Sequence, residues 1–479
     1  MSVLAPAFVR GAVVTSPTRE FAGFLAPDPV PLVDRLVLTD PGWMRDLHEL
    51  CTDDVVDLLA EVGQRLSVAR NGLLREALHN LEVFSDLTPP LLLSAYEQLP
   101  SLFAPEAVRA VAERCVGQRY LDGWVEQPNG AVRAFGARAV HVIAGNNPVI
   151  AAITLVRNAV TKGDAIIKSP ANDPFTAVAI ARTMAEVAPD HPLVRHLAVT
   201  YWKGGTEDVE RALYQPSRVE KIVAWGGFVS VRHVTRYLQP GLELIALDPK
   251  LSATVVGEEA FRDDATMRHT ALLTAADVGA LNQEGCFNAR VIYVVTGTDP
   301  PGIERANRWG ELLYAEVQAL PERASTPVRR FDPELRASIR ALRASPDWYH
   351  VIGGKGDEGA VLVSQMPEPV EFRSALSGRV ANVVPIDDPD EAVQAMNAYT
   401  QTVGVYPDSL KRALRDVAPL HGVQRLVSLG YATHFQPDLP QDGMEPTRRM
   451  VKWIVDETHR PELAHPLSHL CPHLEGMAS

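Results

Sequence analysis

The sequence predicts an α/β protein of two lobes, each built on a mostly parallel sheet. Three observations carry this. From about residue 139 onward, short apolar, β-branched runs alternate with amphipathic helical stretches, the pattern of βαβ units. The same rhythm starts again after residue 250. The chain has 479 residues and is 46% hydrophobic, enough for two or three cores of ordinary size.

Residues 1–130 read as mostly helical, interrupted by "APDPVPLV" and "DLTPPLLL". The first strand is "AVHVIA" (139–144), and "VIAAITLVRNAV" (149–160) follows with helical spacing. "AIIKS" (165–169) is the second strand. "DPFTAVAIARTMAEVA" (173–188) is a helix that Asp173 can cap. "LAVTYWK" (197–203), "KIVAWG" (221–226) and "ELIALD" (243–248) complete the first series. The second runs through "RVIYVV" (290–295), "AVLVSQM" (360–366), "ANVVPI" (381–386), "TVGVYP" (402–407) and "RLVSLG" (425–430). "EPTRRMVKWIVDET" (445–458) reads as a late helix, and the proline- and histidine-rich tail 459–479 as irregular. The expected divisions are 1–250, 251–435 and a C-terminal return segment, 436–479. "YLDGWVEQPNGAVRAFGARAV" (120–140), with its Pro128-Asn129-Gly130 turn, reads as a protruding hairpin.

Bulk composition excludes several functions. A net charge of −13 with scattered Lys and Arg argues against a nucleic-acid partner. No apolar run approaches the roughly 18 residues a bilayer-spanning helix needs, so no stable membrane insertion is expected. Four cysteines, Cys51, Cys115, Cys286 and Cys471, lie far apart with no CxxC, so neither a disulfide framework nor a metal site is expected. A reducing cytoplasm suits that pattern.

Five local features carry candidate chemistry. "AGNNPV" (144–149) bends the chain between strand and helix, and its Asn146 amide could stabilise an oxyanion; a plain turn is the simpler alternative. Lys168 and Ser169 end a strand, where the lysine could reach a ribose hydroxyl or a phosphate. Gly226 and Gly227 open a helix and could let a pyrophosphate approach. Glu243 sits in the apolar "GLELIALDPK" and could be an inward general base or point to solvent. Cys286, in "LNQEGCFNARVIYVV", is a lone thiol among polar neighbours, which suggests a nucleophile with a lowered pKa.

In order, "GNNP … KSPANDP … AWGG … LELIALDPK … NQEGC" resembles the aldehyde dehydrogenase superfamily. "AGNNP", "IIKSPANDPFTA" and "DGMEPTRRMVKWI" look like the versions found in its LuxC-type acyl-CoA reductase branch. The resemblance implies an aldehyde-dehydrogenase-like fold: a Rossmann-type cofactor lobe within 1–250, a catalytic lobe in 251–435 and a small oligomerisation hairpin. It implies that Cys286 forms a thioester with the acyl group, with Asn146 and the Cys286 backbone N–H as the oxyanion hole. Glu243 would be the general base, Lys168 and Ser169 would bind the adenosine side, and Gly226 and Gly227 would lie under the pyrophosphate. Many NAD-preferring members carry a Glu three residues after the lysine; Ala171 stands there, which favours NADPH. The expected reaction is reduction of an acyl-CoA or an acyl-carrier protein thioester to the aldehyde by a homo-oligomer. Oxidative aldehyde dehydrogenation, with Glu243 activating water, and a non-catalytic scaffold are the alternatives.

Overall fold

The computed structural model of the chain describes residues 3–457, so the tail 459–479 and Cys471 lie outside the described residues. Two seven-stranded sheets dominate. In the first, the order is Glu243–Leu247, Lys221–Trp225, Arg138–Val142, Asp164–Lys168, Leu197–Thr200, Ala7–Val9 and Ala12–Val14. The first five strands are parallel, and the last two join antiparallel. The chain winds outward from Arg138–Val142 in one direction, then returns to its other side as Lys221–Trp225. That reversal leaves a crevice beyond the carboxyl ends of these two strands, where open α/β sheets place ligands.

Residues 3–27 are not helical. Ala7–Val9 and Ala12–Val14 form a hairpin across Arg10 and Gly11, and Thr18–Phe21 and Phe24–Pro27 form another across Ala22 and Gly23. All four turn residues have positive φ, the backbone of the type I′ turn that suits two-residue hairpins. Helices follow: Thr52–Arg65, Gly72–Phe84 and Pro89–Leu102 share one core with Val149–Val160 and Thr176–Val187. The last of these begins three residues later than the sequence suggests. Asp173 lies two residues before its N-cap, Phe175, and accepts from the N–H groups of Phe175 and Thr176.

The second sheet runs Tyr349–Gly353, Ala360–Ser364, Val380–Ile386, Ala289–Val295, Leu251–Val256, Thr400–Tyr406 and Arg425–Ser428. Only the Tyr349–Gly353 edge strand is antiparallel to its neighbour. The expected hairpin is present as Val125–Gln127 and Gly130–Gly136. The expected late helix is only Pro446–Met450; from Val451 to Glu457 the chain is a strand paired with Gly130–Gly136. Val451, Trp453 and Val455 fall at the strand period of two, while Met450, Val451, Ile454 and Val455 fall at helical spacing, so the segment fits either element. Among the described residues no helix is long and apolar enough to cross a membrane.

Candidate active site

A cleft of about 890 Å³ opens where the two lobes meet. Its floor is made by strand ends of the first sheet: Val142 to Asn146, Lys168, Trp225 to Gly227, and Leu247 to Lys250. Glu284, Cys286 and Arg290 face it from the second lobe, and Asp442 from the return segment. Cys286, Asn146, Lys168, Gly226 and Gly227 are thus brought into one cavity from four separate stretches of chain.

Cys286 follows a backbone turn in which Leu281, Asn282 and Gln283 all have positive φ, near 52°, 56° and 68°. Such a run of non-glycine residues is strained and persists only where neighbours over-determine it. They do. Asn282 Oδ1 accepts from Thr326 N (2.7 Å), Gln283 Oε1 accepts from Val380 N (2.9 Å), and Gln283 Nε2 donates to Ala289 O and Val380 O. Asn288 donates to Asp277 O and accepts from Gly285 N. Gly285 has no room for a side chain, since a Cβ would lie 2.5 Å from the Phe287 ring. The polar neighbours of Cys286 are therefore spent on holding the turn rather than on solvating the sulfur.

The sulfur itself contacts a residue that the motif order does not reveal. Gln401 Nε2, from Thr400–Tyr406, donates to Cys286 Sγ (3.2 Å) and to Asp442 Oδ1 (2.6 Å). Ser252 Oγ donates to the Cys286 carbonyl (2.6 Å) and accepts from Thr402 N (3.1 Å), at a bulge that breaks the register on both sides of its strand. A lone amide inside the apolar "TQTVGVY" is the sequence signal that could have pointed to Gln401.

The expected lowering of the thiol pKa is not what the site does. Burial pushes the Cys286 thiol up, and the charge of Asp442 pushes it further; Gln401 and Arg290 oppose them without winning. The chain also reaches Cys286 past the carboxyl end of the helix Asp264–Gly279, the end that does not favour an anion. Burial and the nearby Asp86 likewise raise the Glu284 carboxyl.

Asn146 Nδ2 donates to the carbonyl of Glu284 (2.9 Å), two residues before the cysteine, while its Oδ1 is buried without a partner. The amide thus reaches the turn that carries Cys286. Lys168 Nζ lies over the rings of Tyr201 (5.7 Å) and Trp202 (5.6 Å), and burial brings its pKa down to about 8. Ser169 does not line the cleft: it is buried, its hydroxyl is unpartnered, and its N–H bonds Thr200 O.

Glu243 is not brought to the cleft. Strand register puts it opposite Lys221, at the far end from Trp225 and Leu247, which pair at the cleft end. Four residues of strand separate it from the cavity by about 13 Å. There its Oε2 accepts from Lys221 Nζ (2.6 Å) and its Oε1 from Arg449 Nε (2.9 Å). Burial alone would raise its pKa, but the two cations hold it below the ordinary carboxylate value. The cleft-end residues are Leu247 and Asp248. This geometry makes Glu243 a tie between the first sheet and the return segment.

A depressed carboxylate contributes stability above its ordinary range and loses it as pH falls through the depressed value. Glu243→Gln should therefore leave turnover within about twofold of wild type. Its cost at neutral pH should be on the order of 1–2 kcal/mol, because Lys221 is buried but Glu243 is partly exposed. Melting temperature followed against pH checks this: the acid limb should flatten.

A family model described as "Acyl-CoA reductase (LuxC)" matches residues 47–453. A Vibrio harveyi protein named long-chain acyl-protein thioester reductase is 27% identical over 420 residues, covering 86% of this chain and 84% of that one. A Photobacterium phosphoreum protein of the same name is 27% identical over 414 residues, with 86% and 82% covered. Among solved structures, lactaldehyde dehydrogenase from Escherichia coli superposes with a TM-score of 0.68 at 15% identity, covering 96% of this chain and 100% of that one. The NADP-dependent glyceraldehyde-3-phosphate dehydrogenase from Bacillus halodurans gives 0.67 at 14% identity, with 96% and 99% covered. The aldehyde dehydrogenase fold is therefore shared across nearly the whole chain.

Proposed function

As the chain belongs to the acyl-CoA reductase (LuxC) family, we propose that this aldehyde-forming fatty-acyl thioester reductase works through an acyl group carried on Cys286 and uses NADPH. The observation that carries this reading is the meeting of Cys286, Asn146 and the Gly226–Gly227 turn in one cleft at the sheet's switch point.

The residues present fit a nicotinamide dinucleotide. Gly227 caps a helix and has open space where a side chain would be, and Lys168 ends the strand two places along the same sheet. Lys168 and Lys203 both line the cleft, and Ala171 puts no carboxylate at its own position to repel a 2′-phosphate. When bound, the cofactor supplies a hydride to the acyl carbon.

Cys286 Sγ attacks the thioester carbonyl, a new C–S bond forms, and the carrier thiolate leaves and takes up a proton. The Asn146 amide, with the Cys286 backbone N–H, holds the oxyanion of this step and of the thiohemiacetal formed after reduction. Collapse of that thiohemiacetal breaks the C–S bond, releases the aldehyde and returns the thiolate. With Glu243 outside the cleft, nothing at its position activates water, which supports reduction over oxidative dehydrogenation. The small sheet formed by the hairpin and Val451–Glu457 exposes Ile454 and Val455 on its outer strand, which supports a homo-oligomer.

Intact mass spectrometry tests the reading. Wild-type protein mixed with long-chain acyl-CoA or acyl-carrier protein, without NADPH, should gain one acyl mass on Cys286 and lose it on NADPH addition. No mass gain with either donor would sink it. The cofactor choice has its own test: Ala171→Glu should lower kcat/KM with NADPH relative to NADH by about 10-fold or more, since it sets a carboxylate beside the phosphate.

A further inference from the structure

Two separated segments converge on the Cys286 sulfur. Gln401 lies on the strand next to the edge of the second sheet, and Asp442 lies in the tight turn Gln441–Met444 of the return segment. That turn is closed by two backbone hydrogen bonds between Gln441 and Met444. It is pinned to the first lobe by Arg157, which donates from Nη1 to Gln441 Oε1 (3.0 Å) and from Nη2 to Pro437 O (3.2 Å). Asp442 has a φ of 53°, a conformation that aspartate tolerates better than most residues. The carboxylate also fixes which way the glutamine faces. An amide oxygen 2.6 Å from a carboxylate oxygen would be repulsive, so the NH₂ group must point at Asp442, and the same nitrogen then presents a hydrogen to the sulfur.

Resting on the reading of Cys286 as nucleophile, we propose that Gln401 is a further catalytic residue, its amide N–H holding the Cys286 sulfur in the attacking position, and that Asp442 is the positioning residue that aims this amide. Gln401 is nearly buried, so the donor works where water does not compete for it. A donor of this kind favours the thiolate over the thiol. The Asp442 charge has the opposite effect on the same sulfur, so the two members of the pair have distinguishable signatures. The other charged groups around the sulfur are Arg290 and Arg425, while Lys250, Asp248 and Arg157 lie near Asp442. None of these is changed in the test.

The test follows iodoacetamide incorporation at Cys286 by peptide mass spectrometry, from neutral to alkaline pH, in wild type, Gln401→Leu and Asp442→Asn. Gln401→Leu removes the donor at similar volume and should move the thiol profile to higher pH. Asp442→Asn keeps an acceptor for the Gln401 amide but removes the charge, and should move it to lower pH. Each displacement should change the thiolate fraction at a fixed pH by roughly 3- to 10-fold. Gln401→Leu should also lower kcat about 10- to 100-fold with little change in KM for acyl-CoA. Profiles that coincide with wild type, or that both move the same way, would overturn the pair while leaving Cys286 acylation intact. Absence of acylation in the wild-type protein would instead overturn the nucleophile reading on which the pair rests.

Discussion

Cys286→Ala should abolish aldehyde formation, with kcat falling by on the order of 10⁶, the scale on which removal of a covalent nucleophile acts. The variant should also gain no acyl mass from acyl-CoA or acyl-carrier protein. Folding should survive, because the turn is held by Asn282, Gln283 and Asn288 rather than by the sulfur. The expected melting temperature is close to wild type. The other described cysteines serve as internal controls in thiol labelling. Cys51 is exposed at the start of a helix, where its sulfur accepts from Asp54 N, and Cys115 is buried, with its pKa raised by that burial. If Cys286 is the nucleophile, acyl-CoA should protect it alone from iodoacetamide. A scaffold without chemistry would show no such protection, and Cys286→Ala would then change nothing that can be measured.

The raised thiol pKa shapes that experiment. Burial and Asp442 keep Cys286 protonated more often than an ordinary cysteine at neutral pH. Labelling should accelerate as pH rises, with no plateau near neutrality. The same protonation guards the Cys286 sulfur from oxidation when no substrate is bound, since the thiolate is the reactive form. Any positive charge brought close by substrate or cofactor binding would lower the thiol pKa and raise the reactive fraction.

Much of the fold was legible because its strands are β-branched apolar runs bounded by turn residues. "AVHVIA", "AIIKS" and "KIVAWG" fall on strands of the first sheet. The N-terminal hairpins were not, because their turns are Arg10-Gly11 and Ala22-Gly23 rather than the stronger Asn-Gly or Asp-Gly signals. The return strand Val451–Glu457 was hidden by a pattern that fits both periods. At the site, the Gly, Asn and Lys positions are tied to strand ends, so their order along the chain places them at one edge of a parallel sheet. Glu243 shows the weakness of that inference: whether a strand residue faces the cleft depends on which end of the strand it occupies, and four residues of register decide it. The thiol environment was misjudged for a related reason. Asn282, Gln283 and Asn288 are polar in sequence, but their amides are committed to backbone partners. Gln401 and Asp442 contribute through tertiary contact alone, and nothing in their local sequence marks them as a pair.

Asn146→Ala should be slow but not dead, with kcat lower by about 10²–10³ and KM for acyl-CoA little changed, the loss expected when one oxyanion donor is removed. Asn146 has two amide hydrogens, and one is engaged by the Glu284 carbonyl. That bond serves the other hydrogen: it fixes the amide plane against the turn that carries Cys286, so the free N–H has a set direction relative to the sulfur. Truncation therefore removes both the donor and a tie to the turn. Asn146→Asp separates these effects. It keeps the size but replaces the NH₂ with an acceptor that cannot donate when ionised, and it would meet the Glu284 carbonyl oxygen with repulsion. If Asn146 acts on the oxyanion, both variants should still become acylated on Cys286, more slowly than wild type, and Asp should be the worse of the two. Single-turnover measurement of acyl transfer and of reduction, made separately, decides the point. An Asn146→Ala enzyme that acylates and reduces at wild-type rates would show that the amide only braces the turn, and that the oxyanion is held by backbone N–H groups alone.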